Sequence, residues 1–112
     1  MTQRIAAIDL GTNSARLLIA DLLPDGSFRQ VLLDRAIVRL GGNFSRETGL
    51  SAEAVQRTVS CLKRFAELIE ANQANTVRAV ATSAVRDAVN GDELVRQVAT
   101  ETGIKIHVID GQ

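Results

Sequence analysis

The sequence predicts an α/β domain with a mixed five-stranded sheet, its elements running β-β-β-α-β-α-β and its helices packed on the sheet. Three features carry that prediction. The first 40 residues hold three strand-length apolar runs separated by clusters of Gly, Asn, Pro and Asp. A long central segment then repeats apolar residues at helical spacing. Two short apolar runs each follow a helical segment, the pattern of parallel crossover connections. The antiparallel meander therefore belongs to the first half of the chain and the parallel pairs to the second.

Arg4 to Leu10 opens the chain as a strand. Ile5-Ala6-Ala7-Ile8 is continuously apolar, the mark of a buried strand, and Asp9 and Gly11 end it. Gly11-Thr12-Asn13-Ser14 are all turn formers, and Ala15 to Leu22 returns as a second strand, so the pair reads as a hairpin. In Pro24-Asp25-Gly26, Pro presets φ and Gly permits a positive one, which makes a turn. Phe28 to Leu40, rich in Val, Leu and Ile, is the third strand. Gly41-Gly42-Asn43 breaks it, and the polar stretch as far as Gly49, including Phe44 and Ser45, is a loop.

Ser51 is placed to cap a helix over residues 52–71, with Glu53 in its electropositive first turn. Val55, Val59, Leu62, Ala66 and Ile69 make the apolar stripe, widened by Thr58, Cys61, Phe65 and Leu68. Residues 72–75 close that helix. Val77 to Ala81 is a short buried strand, followed by Thr82-Ser83 and a short helical stretch over 84–88. Asn90 is placed to cap a further helix, with Asp92 and Glu93 in its first turn and Gly103 just past its end. Ile104 to Ile109 is the last strand.

No repeat, linker or internal boundary appears, so the 112 residues read as one domain. Val108-Ile109-Asp110-Gly111-Gln112 delivers a turn where α/β proteins place active-site residues. The chain is therefore expected to be the N-terminal part of a longer protein. With 46% apolar and 23% charged residues, disordered and low-complexity classes are excluded. One Cys and one His exclude a disulfide framework and the usual zinc clusters. No run of about 18 apolar residues and no secretory signal is present, which makes the cytoplasm the default expectation, with no membrane partner.

Thirteen basic and 13 acidic residues cancel, so no global field draws in a nucleic acid polymer. Aromatics are 3%, with no Trp or Tyr, so stacking platforms for single strands are absent. The basic set is nonetheless almost all Arg, with Lys63 and Lys105 the only lysines. Arg suits planar, bidentate contacts to phosphate or carboxylate, and GC-rich coding produces the same bias.

Two segments carry the chemistry. In Asp9-Leu10-Gly11-Thr12-Asn13-Ser14-Ala15-Arg16 a carboxylate closes a strand and a turn of small residues follows. Such a turn exposes backbone N–H groups to a phosphate oxygen; Asn13 and Ser14 add side-chain donors, and Asp9 suits a divalent cation, directly or through water. An ordinary hairpin using Gly and Asn for conformation accounts for the spacing equally well. In the second segment, residues 78–90, Thr82 and Ser83 stand at a strand-to-helix junction with Arg86 one turn further on. Those hydroxyls serve either as helix caps or, with helix N–H groups and Arg86, as an anion site. Cys61 lies within the helical stripe and reads as core. His107 has no ligand partner nearby and reads as a surface or sheet-face residue.

Residues 8–16 resemble the first phosphate loop of the exopolyphosphatase/guanosine pentaphosphate phosphatase (Ppx/GppA) family. The resemblance continues through Val38-Arg39-Leu40-Gly41, Thr48-Gly49-Leu50-Ser51 and residues 79–90, and so covers essentially the whole chain. The first loop alone is shared with sugar kinases, acetate kinases and chaperone ATPases of the actin-like superfamily. The Thr-Ser-Ala-x-Arg-x-Ala-x-Asn segment is far more specific. What the resemblance implies is the first subdomain of an actin-like, ribonuclease-H-like fold. It further implies Mg²⁺-dependent release of terminal orthophosphate from inorganic polyphosphate, or of the 5′-phosphate of guanosine pentaphosphate. It assigns Asp9 to the metal or its waters, and Gly11, Thr12, Asn13 and Ser14 to phosphate. Arg86 would neutralise the reacting phosphoryl group, and Thr82 and Ser83 would shape that pocket.

The family usually continues the last strand as Ser-Gly and a run bearing the glutamate that activates water; here Asp110 stands at that Ser. Base and second phosphate loop are expected beyond residue 112, so the chain by itself is expected to be inactive, and the full-length protein to be a homodimer. The competing readings are a non-catalytic sensor of polyphosphate or guanosine nucleotides and a kinase or chaperone-type ATPase sharing the first loop.

Overall fold

Alternation along the first strand decides the architecture. β1 (Gln3–Leu10) buries Ala6, Ile8 and Leu10 and exposes Ala7 and Asp9. Opposite sides of one strand thus meet different surroundings, as the two-residue period requires. The computed structural model describes residues 2–42, 45 and 47–109, so Asn43, Phe44 and the terminal Asp110-Gly111-Gln112 lie outside the described residues.

β1 is central. It pairs antiparallel with β2 (Ser14–Leu22) and parallel with β4 (Thr76–Ala81). β3 (Phe28–Ile37) flanks β2, and β5 (Ile106–Val108) runs parallel beside β4, giving the order β3-β2-β1-β4-β5. The meander followed by parallel crossovers is the order expected. A register shift between Ile19 and Ala20 marks a bulge in the β2–β3 pair.

α1 (Ala52–Ala71), α2 (Ser83–Asp87) and α3 (Gly91–Thr102) contribute to one apolar cluster with Ala6, Ile8, Leu10, Leu17, Ile19, Ala79 and Ala81 of the sheet. Phe65, Leu62 and Val59 of α1 and Leu94 and Val98 of α3 fill it. Truncating Phe65 to Ala would cost about 3–5 kcal/mol by lost transfer energy plus cavity. The other face presents Ala7, Asp9, Arg16, Leu33, Ile37 and Arg78, all exposed. The continuous run 5–8 reads as a buried strand; among the described residues only one of its faces is covered.

α1 begins and ends where the sequence places it. Ser51 Oγ accepts from Ala54 N at 3.1 Å, and Cys61 is buried in the core. Burial pushes the Cys61 thiol pKa up, so it is a core residue and not a nucleophile. Three other expectations need correcting. β3 stops at Ile37, not Leu40, because Val38 N and Arg39 N both turn to the Asn13 carbonyl and Arg39 adopts φ +49°. β5 starts at Ile106, because Ile104 N is held by Thr102 Oγ1 at 3.0 Å. Asn90 does not cap α3 with its side chain: Oδ1 accepts from Leu50 N at 2.8 Å and Nδ2 donates to Leu50 O at 3.0 Å. That bidentate clip ties the α2–α3 junction to the segment leading into α1. Gly103 ends α3 in the left-handed conformation, as expected.

At the end of the sheet away from the β1–β2 turn, Asp21 is 2% exposed. Arg4 Nε and Nη2 grip its two oxygens at 2.8 and 3.1 Å, and Arg29 adds a contact of 3.0 Å. Arg4 Nη1 also donates to Asn72 O, the carbonyl at the end of α1, at 3.0 Å. Hydrogen bonds from Arg4, then Arg29, pull the Asp21 carboxyl down to about 2.

Candidate active site

The parallel register of β1 and β4 sets Leu10 beside Ala81, so the loops leaving these strands emerge together at one edge of the sheet. In open α/β sheets that carboxyl edge is where ligands bind. Thr82 N reaches back to Leu10 O at 3.4 Å. Thr12 Oγ1 and Ser83 Oγ stand 3.4 Å apart across the gap. The two segments singled out from the sequence thus meet.

The first loop is a tight one. Gly11 N donates to Ser14 O at 2.9 Å, closing the turn. The carbonyl of Asn13 accepts from Val38 N at 2.9 Å and Arg39 N at 3.0 Å, and that of Thr12 accepts from Gly41 N at 3.1 Å. The Thr12 and Asn13 carbonyls are therefore spent on the β3–α1 connection, while the N–H groups of Thr12 and Asn13 have no partner among the described residues. A loop with satisfied carbonyls and unused amides favours anions over cations. A Cβ at Gly41 would sit 2.9 Å from Thr12 Cγ2, so a larger residue there would have to turn the Thr12 side chain aside.

Thr12, Gly41, Ser83, Ala84 and Asp87 line a shallow cavity of about 220 Å³. Thr82 and Ser83 do not spend their hydroxyls on capping α2; Thr82 makes no side-chain cap bond. Arg86 is on α2, its N–H bonded to Thr82 O at 3.1 Å and its Nε 3.1 Å from Asp87 Oδ1. An ion pair between side chains this exposed is worth little, so an arriving phosphate can displace Asp87 from Arg86 cheaply.

Asp9 stands apart from that cavity. Strand alternation sends Leu10 into the core and Asp9 to the open face, where it shares a cavity of about 530 Å³ with Arg16, Arg78 and Leu18. No cluster of three or more metal-ligating side chains exists among the described residues. His107 is exposed, on the sheet-edge strand β5, as read from the sequence.

Sequence reasoning missed Arg57. From α1 its Nε donates to Val38 O at 2.8 Å and its Nη2 to Arg39 O at 3.1 Å, fixing the connection that in turn fixes the first loop. Its place in the sequence gives only an exposed helical position, and contacts to carbonyls 18 and 19 residues away have no local signature.

The sequence model of the Ppx/GppA phosphatase family matches residues 18–112. This chain belongs to that family. It is 38% identical to the bifunctional 3-dehydroquinate synthase/phosphatase of Fusobacterium nucleatum over 95% of its own length and 17% of that protein's. It is 45% identical to exopolyphosphatase 2 of Mycobacterium tuberculosis over 89% of its length and 32% of the relative's. The crystal structure of the Aquifex aeolicus Ppx/GppA family member superposes with a TM-score of 0.93 at 33% identity, covering 99% of this chain and 36% of that one. The chain thus spans about a third or less of these curated relatives, and shares the actin-like, ribonuclease-H-like fold of the Ppx/GppA structures. The first loop, residues 9–16, precedes the span matched by the family model. No helix among the described residues is long and apolar enough to cross a membrane.

Proposed function

We propose that the protein carrying this chain is a phosphohydrolase that removes terminal orthophosphate from inorganic polyphosphate, the 5′-phosphate of guanosine pentaphosphate being the alternative substrate. The observation that supports this most is the first loop. The Thr12, Asn13 and Ser14 carbonyls are engaged, the Thr12 and Asn13 amides have no partner among the described residues, and Thr12 Oγ1 stands 3.4 Å from Ser83 Oγ.

Phosphoryl transfer asks the protein mainly for position and charge stabilisation. In this reading the amides of Thr12 and Asn13, in the turn that Gly11 permits, hold the terminal phosphate with the Ser14 hydroxyl. Thr12, Thr82 and Ser83 shape its pocket. Arg86 leaves Asp87 for the equatorial oxygens, where charge accumulates. Asp9 fits a Mg²⁺ ion, which keeps most of its waters and asks for one or two carboxylates plus substrate phosphates. From its place apart from the Thr12–Ser83 cavity, Asp9 would reach that phosphate through the ion's waters; when bound, the ion would neutralise phosphate charge. None of these roles is that of a general base, so the isolated chain is expected to bind phosphate without turning over.

The test is orthophosphate release by the intact protein, with Mg²⁺, from polyphosphate and from guanosine pentaphosphate. Release from the chain end supports the reading. Tight polyphosphate binding without release would make the protein a sensor, and phosphorylation of an acceptor by ATP would make it a kinase.

A further inference from the structure

The β3–α1 connection has two sides. Gly41 faces the cavity of Thr12 and Ser83, and Gly42, the next residue, faces a second cavity of about 480 Å³ lined otherwise by Ile37, Arg39 and Arg57. Two of those four lining residues are arginines and none is acidic. Arg4, Arg29, Arg64 and Arg86 each have an Asp partner, but among the described residues no carboxylate pairs with Arg39 or Arg57. In a chain of zero net charge this is a local excess of positive charge.

The excess is held in place. Arg57 is anchored through Nε and Nη2 to the carbonyls of Val38 and Arg39. Arg39 is fixed by its N–H to Asn13 O, at 3.0 Å, and by Gly42 N donating to its carbonyl at 2.9 Å. Its side chain is exposed and makes no hydrogen bond or ion pair among the described residues. Gly41 and Gly42 are successive residues, so the two cavities adjoin along this connection.

We propose that Arg39 and Arg57 form a second phosphate subsite, taking an internal phosphate of a linear polyphosphate whose end lies at Thr12 and Ser83. This deepens the function proposed above and rests on it for the position of the chain end. Arg39 is the contact that binds; Arg57, half spent on carbonyls, is chiefly the positioning residue. The chemistry selects chains over single phosphates, because only a chain reaches both cavities.

The experiment is a titration of the intact protein with orthophosphate and with tripolyphosphate. It follows the backbone amides of Thr12 and Asn13 and the guanidinium Nε–H signals of Arg39 and Arg57 by NMR. Tripolyphosphate is expected to move all four together, and orthophosphate to move Thr12 and Asn13 first. Arg39→Gln is expected to weaken tripolyphosphate about tenfold, the loss of a charge-assisted contact, and orthophosphate far less. Unmoved arginine signals while Thr12 and Asn13 respond would overturn the subsite and leave the function proposed above standing. Arginine signals that respond in a protein releasing no orthophosphate would support the subsite and remove the catalytic reading. Silence of all four signals under tripolyphosphate would sink both.

Discussion

The β1–β2 hairpin carries two cross-strand Asp–Arg pairs in register, Arg4 with Asp21 and Asp9 with Arg16. They have opposite fates. Arg4 clamps Asp21 through two contacts, Arg29 joins, and the carboxylate is all but removed from water. Asp9 and Arg16 form no salt bridge and stay exposed on the uncovered face. Strand parity makes the difference: residue 4 shares the helix-covered face with Ala6 and Ile8, and residue 9 falls on the other. A charge taken out of water must be paired or it is costly, so the covered pair is architecture. The exposed one remains available to a ligand.

Arg86 is another exposed arginine, its Nε 3.1 Å from Asp87 Oδ1. Arg86→Ala is expected to lower orthophosphate release by the intact protein at least a hundredfold while leaving its melting temperature within about 2 °C, since exposed pairs contribute little. Normal turnover by this variant would remove Arg86 from the mechanism. Asp9→Asn is the next test. The Mg²⁺ concentration for half-maximal release should rise about tenfold, with no loss of fold; unchanged metal dependence would detach Asp9 from the cation.

Asp21→Asn should do the reverse, lowering the melting midpoint by roughly 5 °C or more with activity retained below the transition. Its pH signature is specific. Asp21 releases its proton more readily folded, near 2, than at its ordinary 3.8. The stability it supplies is therefore complete above about 4 and lost as pH falls toward 2. Asn at 21 should flatten that acid limb, and acid unfolding curves of the two proteins would show it. The smallest effect concerns Asn90. Asn90→Ala leaves both backbone groups of Leu50 without their partners, a cost of about 1–3 kcal/mol. A loss of activity exceeding that predicted from the unfolded fraction would show that the clip also shapes the site.

The order of elements, the span and Ser51 cap of α1, the Gly103 terminator and the two loop segments that meet at the sheet's carboxyl edge were legible because each depends on local chemistry: turn residues, periodicity and capping. The early end of β3 was not. Val38 and Leu40 are buried and apolar, exactly as strand residues would be, yet their segment is claimed by an acceptor 25 residues earlier, the Asn13 carbonyl. Asn90 was misread for a related reason. An Asn before a helix satisfies the capping pattern whether its side chain serves the helix or a strand of backbone elsewhere. Asp9 was legible as a carboxylate at a strand end, but its exposure and its separation from the Thr12–Ser83 cavity follow only from which face the helices cover.

The doubled acceptor at Asn13 also works as a ruler. Its carbonyl fixes residues 38 and 39 while the Thr12 carbonyl fixes residue 41, so three donors in a four-residue window are matched to two successive acceptors. Side chains in that window can be exchanged wherever they point outward, but its length cannot. One added or deleted residue would push two of the three donors out of step and swing Gly41 away from Thr12. Variation among functional versions of this segment should therefore arise by substitution, and insertions should be absorbed further along, beyond Gly42.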